Sequence, residues 1–445
     1  MTTIAESPLD ARLLYTGSDD GQVFVTRDGG QKWTNLSARI IGVPPGTYVS
    51  SVLASRHAAG RVYATFDGHY NDDYAAYALV SDDFGQTWRS IADGLPATSV
   101  HRIREHPRNP RLLFAGHERG LHMSIDGGAR WTALNLNMPN VPVDDILVHP
   151  RENDLIAATH GRGIWILDNI ACLEALTPDS VVTDAFLVTP ARGRLLSLYT
   201  PQAWFGAGQY FAPNPESGAA IDYFLRTPPA REIVVRVADA RGTLVRTLKG
   251  TARAGLNHVS WDMRMESPLP EEPRDVAPGG IGTPPAGPLV LPGSYSVSID
   301  GASRPLKGEV KIDGDPRVVF SDADRRGRQA ALLDLYALMK TLGAARAAAG
   351  SGVAHAEGTN RAAPGDLQDP AEKFRGLRAR LGTLITAANT LSRSIEGYSG
   401  LPTADQRRQI DWAFGDAREA IDALNRAMDS DGARPPQQLS VPKRQ

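Results

Sequence analysis

The chain has a single cysteine, Cys172, in 445 residues. That excludes an internal disulfide framework and any cysteine-built zinc site. It leaves the compartment open, because large secreted domains can do without disulfides. No run of 18 apolar residues occurs, so no membrane span is expected. Met1–Asp10 shows no basic stretch followed by an apolar one, so no signal peptide is read there. Charge of one sign is also lacking: 48 basic against 50 acidic residues leave a net charge of −2. A nucleic-acid partner would want a basic footprint and is not expected. No nucleophile elbow, phosphate loop or HExxH motif is present. Nothing in the sequence calls for a cofactor or a metal. What the chain has in excess is turn residues, 43 glycines and 32 prolines, which favour short strands over long helices. Its length predicts two to four domains of roughly 100–200 residues.

Three segments share one pattern in the first 170 residues. They are Thr26-Arg-Asp28-Gly-Gly30-Gln-Lys-Trp33, Ser81-Asp-Asp83-Phe-Gly85-Gln-Thr-Trp88 and Ser124-Ile-Asp126-Gly-Gly128-Ala-Arg-Trp131. The tryptophans lie 55 and 43 residues apart, near the period of a four-stranded propeller blade. Upstream of each sits an apolar pair, Leu14-Tyr15, Val62-Tyr63 and Leu113-Phe114; a fourth pair, Leu155-Ile156, opens a copy that breaks off into Gly163-Ile-Trp165. The repeated aspartate is suited to accept backbone N–H groups within its own hairpin, and glycine suits a turn that needs positive φ. Asp28, Asp83 and Asp126, with Gly30, Gly85 and Gly128, are therefore read as structural. Trp33, Trp88 and Trp131 are expected to be buried between neighbouring blades.

The S/T-x-D-x-G-x-x-W pattern resembles the Asp-box, or BNR repeat, of sialidases, sortilin-type receptors and xyloglucanase-like enzymes. Together with Phe66-Asp-Gly-His-Tyr-Asn-Asp-Asp73 and Thr159-His-Gly-Arg-Gly-Ile-Trp-Ile-Leu-Asp168, it is most similar to large bacterial sortilin-like or glycosyl hydrolase BNR-repeat proteins. The resemblance implies a β-propeller, an extracytoplasmic location, and either a protein or glycan ligand or glycoside hydrolysis. The 41 arginines against seven lysines also suit a GC-rich bacterial coding sequence. Relatives carry more blades than the roughly four that fit here. The resemblance therefore implies that this chain is the C-terminal part of a longer protein, with a partner chain or self-association available to complete the propeller.

Beyond the repeats, residues 171–219 read as an irregular connector with an aromatic run, Trp204-Phe205 and Tyr210-Phe211. Short alternating strands follow over 220–320: Ala220–Leu225, Glu232–Ala238, Thr243–Leu248, Asn257–Arg264, Ser294–Asp300 and Leu306–Asp313. Their number and spacing predict an immunoglobulin- or fibronectin-like sandwich, with 266–290 as a long excursion. From 321 to 429, apolar stripes at Leu332, Leu335, Met339 and Leu342, then from Phe374 to Ile395 and from Ile410 to Met428, predict an antiparallel three-helix bundle. Ser321 and Thr403-x-x-Gln406 are read as N-caps, 347–369 as a loop and 430–445 as a disordered tail. The fold class is mainly β with an α C-terminus.

Chemistry concentrates in the repeats, which hold eight of the ten histidines. The second repeat is the long one: Tyr63 to Asp83 spans 20 positions, against 13 for Tyr15 to Asp28 and 12 for Phe114 to Asp126. The added residues include Asp67, His69, Tyr70, Asp72 and Asp73. Aromatic faces stack on sugars and paired carboxylates do acid–base work, so this insertion is the first candidate ligand site; a solvated hairpin is the plainer alternative. His117 with Arg119, and His160 with Arg162, occupy equivalent turns that would share one rim, where arginine can bind a carboxylate bidentately. Asp144-Asp145 precedes a strand on the expected channel side, and Asp145 joins the candidates. The three-arginine cluster and tyrosine nucleophile of a sialidase cannot be assembled.

Overall fold

The computed structural model describes residues 1–188, 192–196, 208, 218–269, 285–358, 370–430 and 439–444. The chain divides into two compact units, one made of Met1–Val188, Asp222–Pro228 and Ala252–Asn257, the other of the remaining segments.

In the first unit the repeats fold into four consecutive up-and-down antiparallel sheets, the arrangement of propeller blades. Blade 1 is β1 (Thr3–Ser7), β2 (Asp10–Gly17), β3 (Val23–Thr26) and β4 (Trp33–Asn35). Blade 2 is β5 (Tyr48–Ala54), β6 (Val62–Asp67), β7 (Tyr77–Ser81) and β8 (Arg89–Ser90). Blade 3 is β9 (Val100–Glu105), β10 (Leu113–His117), β11 (Gly120–Ser124) and β12 (Thr132–Ala133). Blade 4 stops at three strands, β13 (Val143–Val148), β14 (Leu155–Thr159) and β15 (Ile164–Leu167). The first strands β1, β5, β9 and β13 neighbour one another in that order, and no extensive contact returns from β13 to β1 among the described residues.

Strand alternation explains how one sheet serves two neighbours, because successive side chains point to opposite faces. In each apolar pair the first residue faces the preceding blade and the second the following one. Tyr15 packs with Val49 and Val52 of blade 2, Tyr63 with Ile103 and Leu113 of blade 3, and Phe114 with Val143 and Ile146 of blade 4. A buried polar tie adds to the second junction: Glu105 of blade 3 accepts hydrogen bonds from Ser55 Oγ (2.8 Å) and Tyr63 OH (3.0 Å) of blade 2.

The three Asp hairpins are built alike. In each, the serine or threonine hydroxyl donates to the aspartate (Thr26 to Asp28 2.8 Å, Ser81 to Asp83 2.8 Å, Ser124 to Asp126 2.7 Å) and accepts the N–H of Gly30, Gly85 or Gly128. The aspartate in turn accepts the N–H of Lys32, Thr87 or Arg130. Gly85 and Gly128, at φ +83° and +91°, also lie close to Leu36 and Ile91 of the preceding blade: a Cβ on Gly85 would clash at 2.4 Å, and one on Gly128 would stand a tight 3.0 Å away.

The tryptophans differ from the expectation of uniform burial. Trp131 is 8% exposed, and its indole N–H donates to Ile91 O of blade 2 at 2.6 Å. Trp88 is half-buried against the blade 1–blade 2 core. Trp33 is 39% exposed, and among the described residues no sheet packs over that face of blade 1.

After α1 (Ala171–Glu174) come β16 (Ala185–Leu187), β17 (Gly193–Leu195), β18 (Ala219–Leu225), β19 (Val234–Ala238), β20 (Leu244–Lys249), β21 (Gly255–Trp261), β22 (Gly293–Asp300) and β23 (Leu306–Gly314). They form a three-stranded sheet, β16-β18-β21, and a five-stranded sheet, β17-β23-β22-β19-β20. The six strands read from the sequence over 220–320 appear within a few residues of their expected bounds. The connector adds something alternation did not reveal: β17 pairs parallel to β23. The aromatic run of the connector and residues 270–284 of the excursion lie outside the described residues.

Three helices close the chain, α2 (Asp322–Gly358), α3 (Pro370–Glu396) and α4 (Ala404–Ser430), and their apolar stripes meet in one core. Thr403 and Gln406 cap α4 reciprocally, Gln406 N–H to Thr403 Oγ1 at 3.1 Å and Thr403 N–H to Gln406 Oε1 at 3.0 Å. The loop expected from 347 is helical to Gly358. The reason is close packing: Ala345, Ala349 and Gly352 are buried, and a Cβ on Gly352 would stand 2.6 Å from the Phe374 ring. The tail differs at its end, where Leu439 and Val441 pack on the helical core and Arg444 pairs with Asp334 and Asp411; residues 431–438 lie outside the described residues.

Unequal tryptophan burial gives a measurable contrast. Trp131→Ala should lower stability by about 3–5 kcal/mol, as for other buried aromatics. Trp33→Ala should cost the monomeric chain about 1 kcal/mol or less. Urea melts of the two variants check this, and equal losses would contradict the packing described.

Candidate functional site

The turns between the second and third strands of the blades all lie at one end, so they form a common rim. The β6–β7 turn carries the long insertion, the β10–β11 turn carries Glu118-Arg119, and the β14–β15 turn carries His160-Gly-Arg162. Between blades 3 and 4 the rim holds a chain of alternating imidazoles and carboxylates. His101, at the start of β9, places Nε2 2.9 Å from Glu118 Oε1 and Nδ1 3.1 Å from Asp144 Oδ1. The other Asp144 oxygen lies 3.3 Å from His160 Nδ1. His101 is largely shielded; Glu118, Asp144 and His160 are open to solvent.

The insertion stands next along the same rim. Asp67 ends β6, is buried, and holds His69 Nδ1 at 2.7 Å. Burial alone would raise its carboxyl, but the neighbouring Ser99 hydroxyl and the His69 N–H and ring hold it below the usual carboxylate range. Ser99 comes close enough to act on Asp67 although its hydroxyl falls short of hydrogen-bond geometry. The Ser99 carbonyl accepts the Glu118 N–H at 3.4 Å, so one residue links the insertion to the imidazole–carboxylate chain. Tyr70 stacks obliquely on His69 (ring centroids 3.9 Å apart) and is 73% exposed, with Tyr74 also exposed beyond it. Asp72 closes the turn at positive φ and is exposed.

Other candidates are occupied elsewhere. Asp73 braces the turn, accepting the Ala75 N–H (3.0 Å) and the Tyr77 hydroxyl (2.6 Å); burial and this carboxylate push the Tyr77 phenol up to about 12. Asp145 is held by Arg104 at 2.9 Å and Arg102 at 3.2 Å. It is Asp144, the extra residue at the β13 bulge, that reaches His101. Arg119 and Arg162 are exposed on their turns, the Arg162 carbonyl accepting the Trp165 indole N–H.

His117 is a correction. It is fully buried instead of rim-facing. Its Nδ1 accepts the Arg119 N–H (3.1 Å), so the ring hydrogen is on Nε2 and donates to His122 Nδ1 at 2.7 Å. Residue 117 is the last of a strand buried on both faces, whereas Glu118 begins the turn. His106 and His149 serve turns at the opposite end: Nδ1 of each accepts backbone N–H groups. His101, which sequence reasoning missed, has a faint signal in retrospect: it is a polar residue at the rim end of a strand whose neighbours Val100 and Ile103 are apolar.

Among the described residues, no group of three or more histidine, cysteine, aspartate or glutamate side chains is arranged to hold a metal ion, and no helix is long and apolar enough to cross a membrane.

No known family's sequence profile matches the chain. No curated protein matches it either. Among solved structures, it is similar to YCF48 bound to D1 peptide, at 14% identity over 55% of this chain and 67% of that one, with a TM-score of 0.29. It is also similar to a GH74 xyloglucanase from Xanthomonas campestris, at 16% identity over 38% of this chain and 36% of that one (TM-score 0.25). A third is the Dos1 propeller, at 14% identity over 56% of this chain and 61% of that one (TM-score 0.28). Likeness at this level carries no inference about function.

Burial pushes the His117 ring down to about 3, helped by His122 and His101 nearby. The folded chain therefore keeps a neutral ring where the unfolded chain takes up a proton, near 6.5. That stabilisation is complete above pH 6.5 and is lost as pH falls from there toward 3. Urea-melt midpoints should accordingly decline between about pH 6.5 and 4.5, above the range where carboxylates titrate. The decline should be shallower in His117→Gln; an identical pH profile would contradict the neutral pair.

Proposed function

We propose that this chain is a non-catalytic propeller module that binds a protein or glycan segment across the blade rim. The observation that carries the reading is the rim itself. The solvent-facing hydrogen-bonding groups of Glu118, Asp144 and His160 lie at the same end of the blades as the turn that carries the exposed rings of Tyr70 and Tyr74. Aromatic faces with flanking donors and acceptors suit sugar rings and extended peptides alike. The same proposal includes kinship with Asp-box, or BNR, repeat proteins of the sortilin-like kind and an extracytoplasmic setting, both supported by the three hydroxyl–aspartate–glycine hairpins. It also includes an immunoglobulin-like sandwich over 220–320 and an antiparallel three-helix bundle over 321–429, supported by the two sheets and the shared helical core. The open flanks of the blade series are assigned to a partner chain or a second copy.

A second reading, glycoside hydrolysis, is favoured by two carboxylates, Glu118 and Asp144, on either side of one imidazole. It is weaker because both carboxylates are open to solvent and hydrogen-bonded to His101, whereas such catalysis wants its acid in an apolar pocket.

A glycan array and a peptide library, probed with the wild-type chain and then with Tyr70→Ala and Asp144→Asn, test the proposal. Each variant should lose about tenfold or more in affinity for a captured ligand. Unchanged binding in both would move the site off the rim. Polysaccharide hydrolysis that disappears in Asp144→Asn would establish the second reading instead.

A further inference from the structure

The blades provide their own standard for what a finished junction looks like. Tyr15, Tyr63 and Phe114, the second residues of the first three apolar pairs, are at most 2% exposed because a following blade covers them. Ile156 holds the same place in blade 4 and is only half-buried. It pairs across the sheet with Leu147 on β13 and Ile166 on β15, and Ala158 pairs with Ile164. These five apolar side chains share one face, on which Ile164 is 70% and Ile166 57% exposed. The face repeats the apolar side that blades 1, 2 and 3 turn to their successors, without a successor.

Blade 1 shows the complementary defect. The first residues of the later pairs, Val62, Leu113 and Leu155, are at most 2% exposed against a preceding blade; Leu14 is half-buried. Register places Ile4, Leu14, Phe24 and Trp33 on that same face, with Ile4 and Trp33 exposed. Gly30 tells the same story. The equivalent Gly85 and Gly128 are crowded by Leu36 and Ile91 of the blade before, whereas a Cβ on Gly30 meets no atom but the indole nitrogen of its own Trp33.

One face lacks a blade presenting a tryptophan hairpin, and the other is such a blade lacking a receiver. We infer that the open face of blade 4 in one copy of this chain seats the open face of blade 1 in a second copy, and that the reverse contact closes the pair into one eight-bladed ring. The occupant is argued from continuity. The junction would repeat an interface already made three times within the chain, and each copy carries one of each half. A head-to-tail contact forms either a ring or an open fibre. Two copies bring the blade number to eight, the upper end of the usual propeller range, while three copies exceed it. The inference deepens the partner part of the proposed function and is independent of the rim ligand, so failure of one leaves the other standing.

Sedimentation equilibrium of the full chain tests it. The expected particle has twice the 47.8 kDa chain mass. Ile4→Glu and Ile166→Glu alter exposed side chains, so both variants should fold, with wild-type circular dichroism and melts. Each should weaken self-association about a hundredfold by placing an unpaired charge in both junctions. Mixing the two variants should partly restore the dimer, since one junction of the mixed pair is then wild type on both sides. A wild-type monomer at tens of micromolar would overturn the inference, as would open polymers. A dimer insensitive to both substitutions, or no rescue on mixing, would also overturn it. The Trp33→Lys chain gives a second probe of the blade 1 face and should behave as Ile4→Glu does.

Discussion

The structure of the first unit depends on one packing constraint: a small twisted sheet can bury its two apolar faces only against other sheets. Each blade is too thin to hold a core of its own. The residues that pack within the unit are shared between neighbours, with Tyr15, Tyr63 and Phe114 reaching forward and Val62, Leu113 and Leu155 reaching back. The hydroxyl–aspartate–glycine hairpins serve this constraint. They hold the turn rigid with three local hydrogen bonds, bring a glycine against the previous blade, and aim the tryptophan at it. The contrast between Trp131 and Trp33 shows that the hairpin sets where the indole points, while burial comes from the neighbour.

The rim depends on the same stacking. Because the first strands of successive blades lie side by side, equivalent turns fall at one end, and residues far apart in sequence meet there. His101, Glu118, Asp144 and His160 come from two blades and four separate segments. The scaffold beneath is rigid, with a buried Glu105 tying Ser55 and Tyr63 across the adjoining junction. The exposed tips are free to vary in what they present, which is the usual division between a loop and the sheet that carries it.

Much of the fold was legible in the sequence. Three copies of one eight-residue pattern located the hairpins, alternation located the strands between 219 and 314, and heptad stripes located three helices. Helix length was misjudged where alanine and glycine replaced the leucine stripe. Small residues look like a loop until Phe374 is seen packed on Gly352. In the candidate site, composition drew attention to the insertion and to the turns at 117–119 and 160–162, but not to which of two adjacent residues reaches the rim. Glu118 faces the rim where His117 does not, and Asp144 does where Asp145 does not. Adjacent residues on or beside a strand point to opposite sides, and the β13 bulge resets that alternation in a way no spacing rule reports.

The sequence by itself therefore determined the local units: the hairpin chemistry, the strand periodicity, the helix faces and the charge balance. These depend on interactions within a few residues, which composition and spacing record directly. Only the tertiary structure decided which polar groups converge at the rim, that His117 lies neutral against His122, and which apolar faces are covered. The convergence and the covering rest in large part on contacts between blades some 40 residues apart, such as His101 with Asp144 and Trp131 with Ile91. Their geometry is set by how one sheet stacks on the next, and no single repeat encodes it.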